Sequence, residues 1–313
     1  MATTNLYGPT VQIQKSNFKV KRKKPNPITR FFTDNRSNRS VGGNILLVIF
    51  LTFLALLFLF PVIFMFNSAF KPLHELLKIP PDIFVRNPTL DNFYDLRELF
   101  SSSLVPLSRY IFNTFLIVII GTLGQIIFAS MAAYPLAKYD FRGNEFISKL
   151  IVMSLMFSTA VTAVPNYMII SKLGLIDTYW AIILPSFSST LGLYLMKNFM
   201  EQIPSSLIEA ASIDGANEFT TLWLVVMPLV KPAWITLFIL SFQTMWGATG
   251  GTYIYDEKLK PLSYALSQVA SAGIARQGVT AAISLITFLI PVIIYILMQS
   301  NVIETMTTSG MKE

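Results

Sequence analysis

Long apolar runs broken by short polar stretches set the rhythm of this chain of 313 residues. Six stand out, at about residues 44–66, 110–134, 150–170, 181–196, 225–246 and 279–299, essentially without Asp, Glu, Lys or Arg. A helix rises about 1.5 Å per residue, so about 20 apolar residues cross a hydrocarbon layer of about 30 Å. Inside that layer a helix satisfies its own backbone polar groups. The pattern predicts an all-α, polytopic membrane protein with six transmembrane helices. Pro228 and Pro232 lie at the start of the fifth run, which should be kinked there or begin only near Ala233.

Charge orients the spans. A basic arm, 1–43, carries Lys19, Lys21, Arg22, Lys23, Lys24, Arg30, Arg36 and Arg39 against Asp34 alone. Lys138, Arg142 and Lys149 sit between the second and third runs, whereas the next gap has only Lys172. Basic residues stay on the cytoplasmic side, which places both termini, the loop 135–149, the segment 203–224 and the tail 301–313 inside. The stretches 67–109 and 247–278 then face outward, and 44–300 forms the membrane domain.

Composition narrows the classes. The chain is 53% hydrophobic and 13% charged, against about a quarter charged in soluble domains. A net charge of +7 invites a nucleic-acid partner, but the excess is concentrated next to a span, where orientation or anionic lipid accounts for it. No cysteine is present, so a disulfide or a thiolate metal site is impossible. The one histidine, His74, stands beside Glu75 in a loop and reads as solvated, and no metal site is expected.

The stretch 203–232, IPSSLIEAASIDGANEFTTLWLVVMPLVKP, is as long as a span but too polar in its first half. Ser206 and Glu209 have the spacing of a capping box that starts a helix. Asp214-Gly215 ends it, since glycine accepts the left-handed backbone of a tight turn. From Asn217 a helical pattern resumes, with Phe219, Leu222 and Trp223 on one apolar face. The product is a helix–turn–helix at the membrane surface, with Ala210, Ala211 and Ala216 small enough for close approach.

This string of Glu209-Ala210-Ala211, Asp214-Gly215-Ala216 and Met227-Pro228 resembles the coupling loop of ABC importer permeases (MetI/MalG-like). It is most similar to the binding-protein-dependent carbohydrate group typified by the maltose permease, MalG-like. Phe70-Lys71-Pro72, Pro80-Pro81 and Pro88-Thr89-Leu90-Asp91-Asn92 resemble that group's first external loop. Asn113-Thr114, Ala132-Ala133-Tyr134 with Lys138, Phe141-Arg142-Gly143, and Lys172-Leu173-Gly174-Leu175 with Thr178 and Leu184-Pro185 match it further on. The likeness runs from about residue 45 to the tail Thr307-Thr308-Ser309-Gly310-Met311-Lys312, leaving the basic arm outside. Trp246-Gly247-Ala248 departs from the family's W-N-[DE].

The resemblance implies a bacterial cytoplasmic (inner) membrane subunit importing a carbohydrate of oligosaccharide size. Its implied partners are a second permease in a heterodimer, two ATP-binding cassette subunits that use the ATP, and an extracytoplasmic substrate-binding protein. Ser206, Glu209, Ala210, Ala211, Asp214, Gly215, Ala216 and Phe219 would couple to the ATPases. Gly250, Gly251 and Tyr253 would contact the binding protein. The alternative is a membrane scaffold that docks an ATPase without forming a path.

No G-x-x-x-x-G-K-[ST] loop, nucleophile elbow or paired acid and base occurs, so no catalytic residue or bound cofactor is expected in this chain. Charge-free spans also argue against ion coupling, which keeps an ionisable group at mid-depth despite a cost of about 2.5–3.5 kcal/mol. Asn113, Gln125 and Gln243 are candidates to line a path for a neutral polyol, or equally to bind helices together.

Overall fold

The computed structural model describes residues 41–101 and 103–309, so the basic arm before residue 41 lies outside the described residues. All regular structure among them is helical, as expected. By internal contacts the chain divides into residues 1–60 and 61–313. In the first unit the described residues belong to helix α1 (Val41–Ala69), whose apolar side chains are laid bare, Leu46 at 72% and Phe58 at 70%. A helix with no polar face and no protein cover needs lipid around it.

The second unit continues α1 into α2 (Leu73–Leu76), α3 (Asp91–Ser101) and α4 (Leu107–Lys138). Then come α5 (Asn144–Ser154), α6 (Thr159–Lys172), α7 (Trp180–Phe187), α8 (Thr190–Glu201) and α9 (Ser205–Ile213). Short turns lead to α10 (Lys231–Trp246), α11 (Leu262–Ser271) and α12 (Gln277–Ser309). Helix α4 is the spine, packed by α7, α8 and α10. Its buried Asn113, Ile117, Gly121, Gln125, Ala129 and Ala133 recur every fourth residue, one stripe of a helix. Small residues bring neighbours close: a Cβ on Gly124 would stand 2.1 Å from Phe187. One apolar cluster joins Phe100, Tyr110, Val118, Trp246, Leu262 and Ile283. A second joins Ile126, Ala133, Met196, Met200, Leu222 and Val230.

Uninterrupted spans are fewer than the hydropathy pattern predicts. Ile45–Ala69, Leu107–Lys138 and Gln277–Gln299 are long and apolar enough to cross, and the bent pair Glu218–Leu229 and Lys231–Trp246 makes up to four among the described residues. That pair turns by 83° between Pro228 and Pro232. The third and fourth runs are each cut in two. Ser158 caps α6 by accepting from the Ala160 amide, and Ser189 caps α8 by accepting from the Gly192 amide, both at 3.3 Å. A serine inside an apolar run, invisible to a hydropathy sum, becomes a helix start. At the other end α12 carries on to Ser309, so the expected tail begins as helix.

The loop after α1 is tied by its own signature residues. Asn92 Nδ2 donates to the Ala69 and Lys71 carbonyls at 2.9 and 2.8 Å. Buried Lys71 donates to the Asp82 carbonyl, and Glu75 accepts from the Arg86 and Asn87 amides at 3.1 and 3.0 Å. Phe70-Lys71-Pro72 and Pro88–Asn92 thus form one knot.

Candidate functional site

The segment between α8 and α10 folds as a helix–turn–helix elbow. Helix α9 ends in a Schellman turn: the Ala216 amide donates to the Ala211 carbonyl at 3.0 Å and the Gly215 amide to the Ser212 carbonyl at 3.1 Å. Gly215 takes φ +84°, with open space where a Cβ would point. Asn217 then caps the second arm, its Oδ1 accepting from the Thr220 amide at 2.8 Å. A π-helical stretch, Thr221–Val226, carries the chain to the bend before α10.

Two local expectations give way, the second in part. The Ser206–Glu209 capping box is absent: Pro204 takes the N-cap position without a side-chain bond, and Ser206 already lies inside the helix. Proline, with no N–H to satisfy and φ fixed at −59° here, starts α9 two residues too early for Ser206 to cap it. The expected apolar face of Phe219, Leu222 and Trp223 holds only in part: the Phe219 and Trp223 rings lie 6.0 Å apart, but the three differ in burial. Leu222 is buried, Phe219 is 62% exposed, and the wider π turn between them shifts the helical phase.

Ser206, Glu209, Ala210, Asp214 and Gly215 are exposed with Phe219, while Ala216 is half-buried and Ala211 is buried. Glu209 has no hydrogen-bond or ion-pair partner among the described residues. Ile213, 86% exposed, and Leu224, 73% exposed, stand out of the same elbow, although neither was singled out from sequence. The elbow thus holds apolar side chains outward beside acidic ones.

Residues outside the elbow hold it in place, and sequence reading missed their role. Tyr134 donates to Glu218 Oε2 at 3.1 Å, and Tyr139 donates to the same oxygen. Burial and the Glu218 carboxylate push the Tyr139 phenol above its ordinary range, which keeps it a donor. Lys138 donates to the Ile203 carbonyl at 2.5 Å. The signal was Tyr134, Lys138 and Tyr139 at a helix end, three polar tips at near-helical spacing.

Of the candidate path residues, two are committed inside the fold. Asn113 Nδ2 donates to the Lys258 and Lys260 carbonyls, each at 2.8 Å, while its Oδ1 accepts from Tyr179 at 2.7 Å. Gln125 Oε1 accepts from Ser241 at 2.5 Å. Gln243 instead lines a crevice of about 640 Å³ between α10 and α12, with Leu240, Ser284, Thr287 and Tyr295. In the loop after α10, Gly250 at φ +67° packs on Ile182 and Ile254, and the Tyr253 ring stacks on Tyr167 at 6.1 Å. Gly251 beside them is exposed. No cluster of three His, Cys, Asp or Glu side chains suited to a metal occurs among the described residues.

The geometry is that of a helical bundle presenting an elbow, and known proteins resemble the chain. The polygalacturonan/rhamnogalacturonan transport system permease protein YtcP of Bacillus subtilis is 30% identical over 231 residues, covering 73% of this chain and 78% of that protein. The arabinooligosaccharides transport system permease protein AraQ of the same organism is 27% identical over 270 residues, 86% of this chain and 95% of that one. A solved bacterial ABC transporter involved in the import of the acidic polysaccharide alginate has the same fold, with a TM-score of 0.71 at 24% identity over 82% of this chain and 95% of that one. Residues 35–302 match the family described as binding-protein-dependent transport system inner membrane component. The resemblance read from the elbow holds: this chain belongs to that family of bacterial membrane permeases.

Proposed function

We propose that this chain is one transmembrane subunit of an ATP-driven importer that carries an oligosaccharide into a bacterial cell. A second permease completes the path, two ATP-binding cassette subunits supply the energy, and an extracytoplasmic binding protein delivers the sugar. The observation that carries the reading is the elbow: Ile213, Phe219, Glu209 and Asp214 stand exposed around a rigid turn, a surface shaped for a motor subunit. Similar permeases named for polygalacturonan/rhamnogalacturonan and arabinooligosaccharides support the substrate class. We read the broken pairs α5–α6 and α7–α8 as the third and fourth of six crossings, with the elbow and both termini on the cytoplasmic side. The outer residues Gly250, Gly251 and Tyr253 are assigned to the binding protein. ATP closure of the motor then moves the spans about their interfaces.

Disrupting the gene in its own host and growing the strain on oligogalacturonides, arabino-oligosaccharides and alginate oligosaccharides tests this. Loss of growth on one of them, with glucose growth intact, is expected. Unchanged growth and uptake on every oligosaccharide offered would count against it, and the scaffold alternative would then gain.

A further inference from the structure

We propose that Glu218 is a positioning residue whose carboxylate, gripped by the Tyr134 and Tyr139 hydroxyls, locks the elbow to the inner end of α4 so that the two move as one body. The inference rests on the reading that a motor subunit pushes on the elbow.

Chain connectivity alone does not provide this lock. The elbow leaves α8 and enters α10, and it could swing at Pro204 and at Asn217. Helix α4 closes both ends. At the entry, Lys138 Nζ donates to the carbonyls of Ile203 at 2.5 Å and Glu201 at 3.4 Å. At the exit, the two phenols meet on Glu218 Oε2, and their rings pack edge to face at 5.9 Å. Hydrogen bonds to an ionised carboxylate are about twice as strong as neutral ones. The Glu218 carboxylate is not spent on capping, because Asn217 already does that. Between the two grips the Asp214-Gly215 tip is exposed. A push on the tip therefore arrives at α4, the helix that α7, α8 and α10 all pack against.

The absence of cysteine from the chain gives a clean test. Ser284→Cys, in the crevice between α10 and α12, is labelled with a maleimide in the importer purified with its ATP-binding subunits. Labelling rates are compared without nucleotide and with ATP and vanadate. A nucleotide effect of at least about fivefold is expected, the low end of ordinary coupling between sites. Adding Glu218→Ala should abolish most of that change while the ATP-binding subunits still co-purify. Glu218→Gln, which keeps an acceptor, should restore it. Tyr139→Phe, which removes a single hydroxyl, should fall between and guards against a folding defect. An undiminished nucleotide effect in Glu218→Ala overturns the lock alone. Loss of the ATP-binding subunits in Glu218→Ala also overturns it, because Glu218 would then be a docking contact. No nucleotide effect in Ser284→Cys itself overturns the coupling reading and the lock with it.

Discussion

The amide of Ala216 reaches the carbonyl of Ala211 at 3.0 Å only because Gly215 between them turns left-handed, at φ +84°. Nothing crowds that glycine, so a side chain there meets backbone strain and no clash. For an L-residue the strain is about 1–2 kcal/mol, enough to reshape the tip but not to unfold the bundle. Gly215→Val should therefore reach the membrane in normal amount and yet carry sugar at a tenth of the rate or less, an effect of about 1.4 kcal/mol on the barrier. Gly215→Asn should stay near the parent, since asparagine accepts this conformation. Sugar carried per ATP hydrolysed in proteoliposomes is the measure, and normal uptake by the valine variant sinks the elbow assignment.

Asn92 and Gly278 form the second testable pair. A Cβ on Gly278 would lie 2.1 Å from Asn92 Oδ1, while the Asn92 amide serves two carbonyls, Ala69 and Lys71. Asn92→Ala strands those carbonyls at about 1–3 kcal/mol. Gly278→Ala should cost a similar amount by pushing Asn92 off them. Because both act on one contact, the double variant should melt close to the worse single variant, well short of the sum. Thermal unfolding in detergent decides this, and additive losses would show that the two substitutions act separately.

Glu75 makes the loop after α1 sensitive to acid. The Arg86 amide, followed by the Asn87 amide and side chain, holds the carboxyl below its ordinary range despite the opposing effect of burial. A group whose pKa is lower folded than unfolded stabilises the fold fully above the unfolded value, about 4.3 for Glu, and loses that contribution as pH falls through the folded value. The melting temperature should accordingly drop on acidification, and Glu75→Gln should flatten the part of that drop due to this group. An identical acid profile in the variant removes Glu75 from the account.

Much of this was legible because lipid imposes a coarse rule. Runs of span length almost free of charge can be read from composition, and Asp214-Gly215 can be read because few residues accept its backbone. Continuity could not be read. Ser158 and Ser189 contribute little to a hydropathy sum but cap helices, and the third and fourth runs each carry a break where one of them starts a new helix. Nor could partners distant in sequence be found: Ser241 meets Gln125 across 116 positions, and Tyr134 meets Glu218 across 84. Gln125, a candidate for a polar path, thus joins α4 to α10. The misplaced cap at Ser206 has a narrower cause, since a serine–glutamate spacing carries no knowledge of the proline before it.

Asp177 is the one non-glycine with positive φ among the described residues, at +64°, and that conformation has a purpose. Its amide donates to the Tyr253 carbonyl at 2.8 Å, and its Oδ1 accepts from the Tyr255 and Asp256 amides at 2.9 and 2.8 Å. One turn between α6 and α7 thus pins the loop that carries Gly250, Gly251 and Tyr253. Asp177→Ala removes the acceptor and leaves alanine strained by about 1–2 kcal/mol. Asp177→Asn keeps both the acceptor and the tolerance for this backbone. Amide exchange at Tyr255 and Asp256 should speed up about tenfold or more in the alanine variant, for a loss of about 1.4 kcal/mol of local stability, and stay slow in the asparagine variant. If the loop meets the binding protein, stimulation of ATP hydrolysis by that protein should fall in the same order. Exchange that is equally slow in all three proteins would mean that other contacts hold the loop and that Asp177 is not its pin.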